Sequence, residues 1–499
     1  MPFEFITQLP GSGGAGNRDR RVIRSHVMRG RNAGRSRPRL PLSGLPSPRV
    51  LRRYDCPGCS EAIVSRRVHS CACHKGALDM RRPIWNDLAL VSLPYQVGSD
   101  ARLSGLIHEC LQVVTEILYP PKLCDVSPAS ISEWLSFIYH DEAYLNCTLA
   151  ITSSYTDSFA GHAQASPRSL SYLSKAYALV NKKLSGPEAT SSPVIAAVTS
   201  LVIYHRIHDF RETGLIHLDG LERIIRLRGG MAALARESPV IAQKPWRLDI
   251  EFALQTGSRL RFVDKDAPHA GLLTDPCLHE KSVATWAFFE LPNTSTNLAA
   301  VAVKVERFTR LFNDVRGGKK LSQLQFSHHT NYLIHHLLVA IPLSSCDDLA
   351  RLDKMLYLGL LALMVTLLND YGSHHSRYEI IASKLRAAIC QFVPLTASEE
   401  VFVLWVSLLA GISILQPDDD DWLLPSLETR CRSLGLETWE QLRMNFGELP
   451  WVHVLHGGPG RKLFETARRT CGIPEKAGAV PGLEVTVVGR TNGRDQENP

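Results

Sequence analysis

The side chains with metal-ligand spacing are Cys56-x2-Cys59 and, eleven residues on, Cys71-Ala-Cys73-His74. Two thiols separated by two residues can share one ion, and Cys71 with His74 repeats the separation with an imidazole nitrogen. Cys56, Cys59, Cys71 and His74 could therefore close a tetrahedral zinc site. The Arg- and Pro-rich surroundings give such a site little core to rest on, so coincidence of spacing is the preferred reading and no cofactor is expected. A binuclear zinc cluster needs six thiolates in two C-x2-C-x6-C halves, and that spacing is absent. The pairs His328-His329, His335-His336 and His374-His375 lack a carboxylate-backed H-x3-H arrangement, and read as capped or solvent-facing positions. His205 and His208 read as polar positions on a helix. Asp418–Asp421 reads as a solvated loop, because consecutive aspartates cannot all converge on one ion. No G-x-S-x-G elbow, phosphate loop or dinucleotide fingerprint occurs. No residue is nominated for catalysis, and the chain is expected not to be an enzyme.

Charge is the second chemical signal. The net charge is +7, yet residues 1–80 alone carry 14 Arg and 1 Lys against 3 Asp and 2 Glu, so the remainder is slightly acidic. This basic arm is rich in Arg, Gly, Pro and Ser and has few periodic apolar positions, which predicts disorder. Arg18, Arg20, Arg21, Arg24, Arg29 and Arg31 could attract DNA phosphates in a salt-sensitive, mostly sequence-independent way. Nothing in the arm resembles a base-reading module, and a nuclear import signal on a flexible tail is the preferred reading.

Behind these residues stands a body that must be helical. The chain is 44% hydrophobic and 21% charged, ordinary for a globular protein with a large core. Apolar residues recur at three- and four-residue spacing over roughly 102–118, 130–157, 166–183, 193–209, 213–228 and 240–256. A second series covers 297–315, 321–340, 347–371, 376–393, 398–415, 436–446 and 451–468. Only Leu483–Val488 looks strand-like, so the prediction is an all-α fold, a large irregular array of about a dozen helices. The boundaries are an arm over 1–80, a helical domain over 81–470 and a flexible tail over 471–499. Within the domain, 81–263 and 298–470 form candidate halves joined near 264–297. Its longest apolar runs, Leu356–Leu368 and Val401–Leu415, fall short of the roughly 20 residues of a membrane span, so no membrane partner is expected. Twelve cysteines scattered along the chain suit free thiols in a reducing compartment.

One stretch organises the body: Gly214–Gly230, GLIHLDGLERIIRLRGG. Leu215, Leu218, Leu221 and Ile225 share a helix face, Glu222, Arg223 and Arg226 lie off it, and Gly229-Gly230 is a helix stop. A short apolar turn, Met231-Ala-Ala-Leu234, and then Trp246-Arg-Leu-Asp249 follow. These segments resemble the fungus-specific regulatory domain that usually follows a binuclear zinc cluster in fungal transcription factors. Phe3-Glu-Phe5-Ile6 and Arg24-Ser-His-Val-Met-Arg29 resemble the opening of a subgroup that lacks the cluster. Val401–Gly411, with Trp405, resembles the family's apolar Trp helix, and Phe446–His456, with Trp451, its terminal FxWxxxxH element. The resemblance implies a nuclear transcriptional regulator that contacts protein partners of the transcription machinery. The alternative is a cytoplasmic helical scaffold or effector-binding protein. Trp134, Trp246, Trp405 and Trp451 are expected to be core anchors.

Overall fold

A computed structural model describes residues 118–125, 134, 136–159, 165–263, 296–313, 320–368, 378–447 and 449–470. The candidate helix at 102–118 (all but its last residue), the 264–297 connection and Leu483–Val488 lie outside or almost wholly outside them. The described chain is all-α. Its first regular element is a two-residue strand, β1 (Cys124–Asp125), which pairs in parallel with β2 (Leu321–Ser322) through Cys124↔Leu321 and Asp125↔Ser322.

The helices between these strands are α1 (Glu142–Phe159), α2 (Pro167–Leu184), α3 (Ser192–Ile207), α4 (Arg211–Leu227), α5 (Gly230–Glu237), α6 (Pro239–Thr256) and α7 (Thr296–Arg310). After β2 come α8 (Gln323–Ala340), α9 (Arg351–Val365), α10 (Glu379–Gln391), α11 (Ala397–Ser413), α12 (Asp420–Ser433), α13 (Trp439–Asn445) and α14 (His453–Thr470). Local chemistry sets many of the starts. Ser166 accepts from the Ser169 N–H ahead of Pro167, and Ser322 with Gln325 and Thr438 with Gln441 form capping boxes. Gly229, at φ 108°, ends α4 in the left-handed conformation expected of a glycine stop.

Helix α6 is the hub. It packs on α3, α4 and α5 and also on α8 and α10. Thirteen of its eighteen residues are buried, because it touches neighbours on several sides rather than one. Helices α1, α2 and α3 pack together, as do α9 with α11 and α11 with α12 and α14. Trp134, Trp246, Trp405 and Trp451 are all buried, as core anchors should be.

Three expectations about the helices and loops need correction. The helix expected over 130–157 breaks at Asp141, whose carboxylate accepts the Tyr144 N–H at 2.9 Å and caps α1. The apolar turn at Met231 is the short helix α5, with Met231 and Leu234 buried. Asp418–Asp421 is not a solvated loop, and α12 occupies a stretch read as a break. Asp419 is buried; its carboxylate accepts the Gln416 N–H at 2.9 Å and the Trp422 indole N–H at 3.0 Å, and pairs with Arg386. Asp420 and Asp421 occupy the first turn of α12, where negative charge suits the helix dipole. Pro417 and Pro425 conceal a helical period that the buried Leu423, Leu424, Leu427 and Cys431 display.

Candidate functional site

The motif around α4 and α6 folds into one buried unit. Leu218, Leu221, Ile224 and Ile225 of α4 are buried, while Arg223 and Arg226 face water. Gly214 is required where α4 meets α6: a Cβ there would sit 2.7 Å from the Phe252 ring. On α6 the motif residues have separate tasks. Trp246 packs against the rings of His328 and His335 on α8, with centroids 5.6 and 5.7 Å away. Asp249, fully buried, accepts the N–H groups of Arg261 at 2.7 Å and Phe262 at 3.0 Å, pinning the chain that leaves α6. Arg261 then reaches back to Asp219 on α4 at 2.6 Å. Replacing Asp249 by alanine leaves two backbone donors and Arg261 without their acceptor. The expected loss is about 2–3 kcal/mol of unfolding free energy, read from the urea midpoint.

Sequence reasoning missed two charged features of this unit. Buried Glu251 joins Arg206 of α3 to Arg247 of α6, the latter at 2.7 Å. The Lys244 ammonium lies 3.5 Å from the Trp134 ring centroid, and burial lowers its pKa to about 7. The available signal was charged residues interrupting the apolar positions of α6, which on a helix buried on several sides must find partners.

A ring cluster lies where α2, α3 and α4 meet. The Tyr177 hydroxyl is 2.5 Å from His205 Nε2 and 3.3 Å from His217 Nε2, and the two imidazoles stack at 5.0 Å. Burial lowers the His205 pKa to about 3 and that of His217 to about 4, and raises that of Tyr177. At neutral pH the cluster is therefore uncharged and structural. Burial also keeps the thiols of Cys124, Cys147 and Cys431 protonated.

The later motifs converge on a second unit. The Trp405 indole on α11 donates to the Pro450 carbonyl at 2.9 Å and packs against Gly359 of α9, where a Cβ would lie 2.6 Å from the ring. Trp451 packs 4.9 Å from the His456 ring. His456 is fully buried: its Nδ1 accepts the Val452 N–H at 3.0 Å, so Nε2–H donates to Thr366 Oγ1 at 2.8 Å. A cleft of about 120 Å³ beside this unit is lined by residues including Glu306, Arg310, Asn313, Arg443 and His453.

Cys56, Cys59, Cys71 and His74 lie outside the described residues, as do Arg18, Arg20, Arg21, Arg24, Arg29 and Arg31. Among the described residues no group of three or more His, Cys, Asp or Glu side chains is placed to hold a metal ion. His328, His329 and His335 are not solvent-facing: they are buried on α8, facing the aromatic surfaces of α6 and α7. His335 Nε2 lies 3.0 Å from the Phe262 carbonyl.

Residues 126–248 match the family model of the fungal specific transcription factor domain. The match spans α1 to α5 and runs into α6, ending just past Trp246. No curated protein and no solved structure matches the chain.

Proposed function

We propose that this chain is a nuclear regulator of transcription that acts through its helical body, with DNA contact either indirect or through the basic arm. The observation that carries this reading is the family match over 126–248, which covers most of the buried α4–α6 unit. The match points to a transcriptional regulator rather than an enzyme. Polar residues of that unit, such as Asp249 and Glu251, are spent on holding helices together. Function then falls to the outward helix faces and to protein partners of the transcription machinery. No helix among the described residues is long and apolar enough to cross a membrane.

In this reading Arg18, Arg20, Arg21, Arg24, Arg29 and Arg31 add import or phosphate attraction, and zinc at Cys56, Cys59, Cys71 and His74 is not required. The test combines imaging of the tagged full chain with a DNA titration at several salt concentrations. Nuclear accumulation with weak binding that collapses as salt rises is the expected outcome. Nuclear exclusion would replace this reading with a cytoplasmic scaffold. Sequence-selective binding that needs residues 1–80, with zinc in the sample, would make the arm a DNA reader instead.

A further inference from the structure

Helix α4 has an outward stripe that its own fold does not explain. Ile216, Gly220, Arg223 and Leu227 follow one another at four-, three- and four-residue steps and so share one face. Ile216 is 42% and Leu227 70% exposed, and Arg223 is exposed between them. Gly220 sits mid-helix, and a Cβ added there meets nothing within 4 Å. Gly220 is itself half-buried, yet a glycine in a helix interior with no close contact costs about 1 kcal/mol relative to alanine. Among the described residues no packing compensates for it, unlike Gly214 against Phe252. A bare backbone flanked by exposed apolar side chains is what a second helix needs in order to approach closely.

The charges on this face indicate which helix. Glu212 and Asp219 lie toward its N-terminal half and Arg223 toward its C-terminal half, where Arg226 is already paired with Glu222 of the same helix. We propose that this stripe of α4 pairs antiparallel with the same stripe of a second copy of the chain. A two-fold axis between positions 221 and 222 sets Ile216 against Leu227 of the other copy. The same axis lays each Arg223 across the other Gly220 and beside the other Asp219. Apolar ends and the bare centre are satisfied together, and Asp219, which holds Arg261 of its own chain yet stays 54% exposed, takes Arg223 as a second partner. The two helix dipoles also oppose one another. A single helix face buries less than the roughly 1,600 Å² of a standard interface, so the dimer is weak, with Kd on the order of tens of micromolar. This inference is independent of the transcriptional reading.

The test is sedimentation equilibrium of the full chain from about 1 to about 100 µM, at low and high salt. A reversible monomer–dimer equilibrium that weakens with salt is expected. Leu227→Asp and Gly220→Gln should each raise Kd at least about tenfold. Gly220→Gln should also hold or raise the unfolding midpoint, because glutamine favours a helix and meets nothing in the monomer; that separates docking from folding. The double variant Ile216→Cys with Leu227→Cys should form a disulfide-linked dimer beyond the background of the unsubstituted chain. Ile216→Cys alone should not, since its two copies lie roughly 16 Å apart along the paired helices. A chain that stays monomeric throughout would overturn the proposal, as would dimers indifferent to both single substitutions. So would a monomeric chain whose Leu227→Asp variant loses a different nuclear protein.

Discussion

Trp405→Ala lowers the unfolding free energy by about 3–5 kcal/mol, the range for deleting a fully buried aromatic side chain. The indole is completely buried, its ring stacks on Phe402 with centroids 5.7 Å apart, and its N–H meets the Pro450 carbonyl at 2.9 Å. The hydrogen bond ties α11 to the segment leading into α14, so the damage should spread to α14. Trp405→Phe keeps most of the ring but leaves Pro450 without its donor, and should cost less, about 1–2 kcal/mol. The reciprocal change, Gly359→Val, pushes side-chain atoms into the same ring and should cost about 1–3 kcal/mol by overpacking. Urea midpoints of the three variants check the ordering. An alanine variant no less stable than the phenylalanine variant would contradict it.

Acidification from pH 7 to pH 5 should destabilise the fold by about 4–5 kcal/mol. Burial lowers the pKa of both His456 and His205 to about 3, so in the native state they remain neutral across this interval. In the unfolded chain they take up protons below about pH 6.5, and each then withdraws about 2 kcal/mol of stability by pH 5. The loss begins below pH 6.5 and deepens until the native pKa is reached. His217, half-buried with a pKa near 4, acts in the same direction. Asp249 opposes them. Desolvation raises its pKa to about 6 against the Arg261 and Phe262 donors, so the native state takes a proton first and gains about 1 kcal/mol. The histidines prevail by number. Urea melts from pH 7 to pH 5 measure the slope, and His456→Asn, which keeps an acceptor near the Val452 N–H, should remove about one proton from it. An unchanged midpoint over this interval would sink the argument.

The helical body was legible because its signals are local. The periodicity of Leu218, Leu221 and Ile225 and the stop at Gly229 each act within a turn or two of chain. Burial of Trp246, Trp405 and Trp451 follows from residue type. What escaped the sequence depends on distant partners. Asp419 reads as part of an exposed acidic run until Arg386, 33 residues earlier, is brought to it. His328 reads as a surface position until α6 places Trp246 beside it. Helix α12 was hidden because proline is a strong local breaker, although tertiary packing accommodates Pro425. The docking face of α4 was half legible. The sequence places Arg223 on the outer side, but only the fold shows that a side chain at Gly220 would meet nothing among the described residues.

The central claim is that the helical body regulates transcription through protein contacts. Tethering the full chain upstream of a reporter through a fused heterologous DNA-binding domain tests it most directly, with the DNA-binding domain alone as the control. The folded chain should move reporter transcript up or down, and the control should not. A folded, nuclear, tethered chain that leaves the transcript unchanged would contradict it.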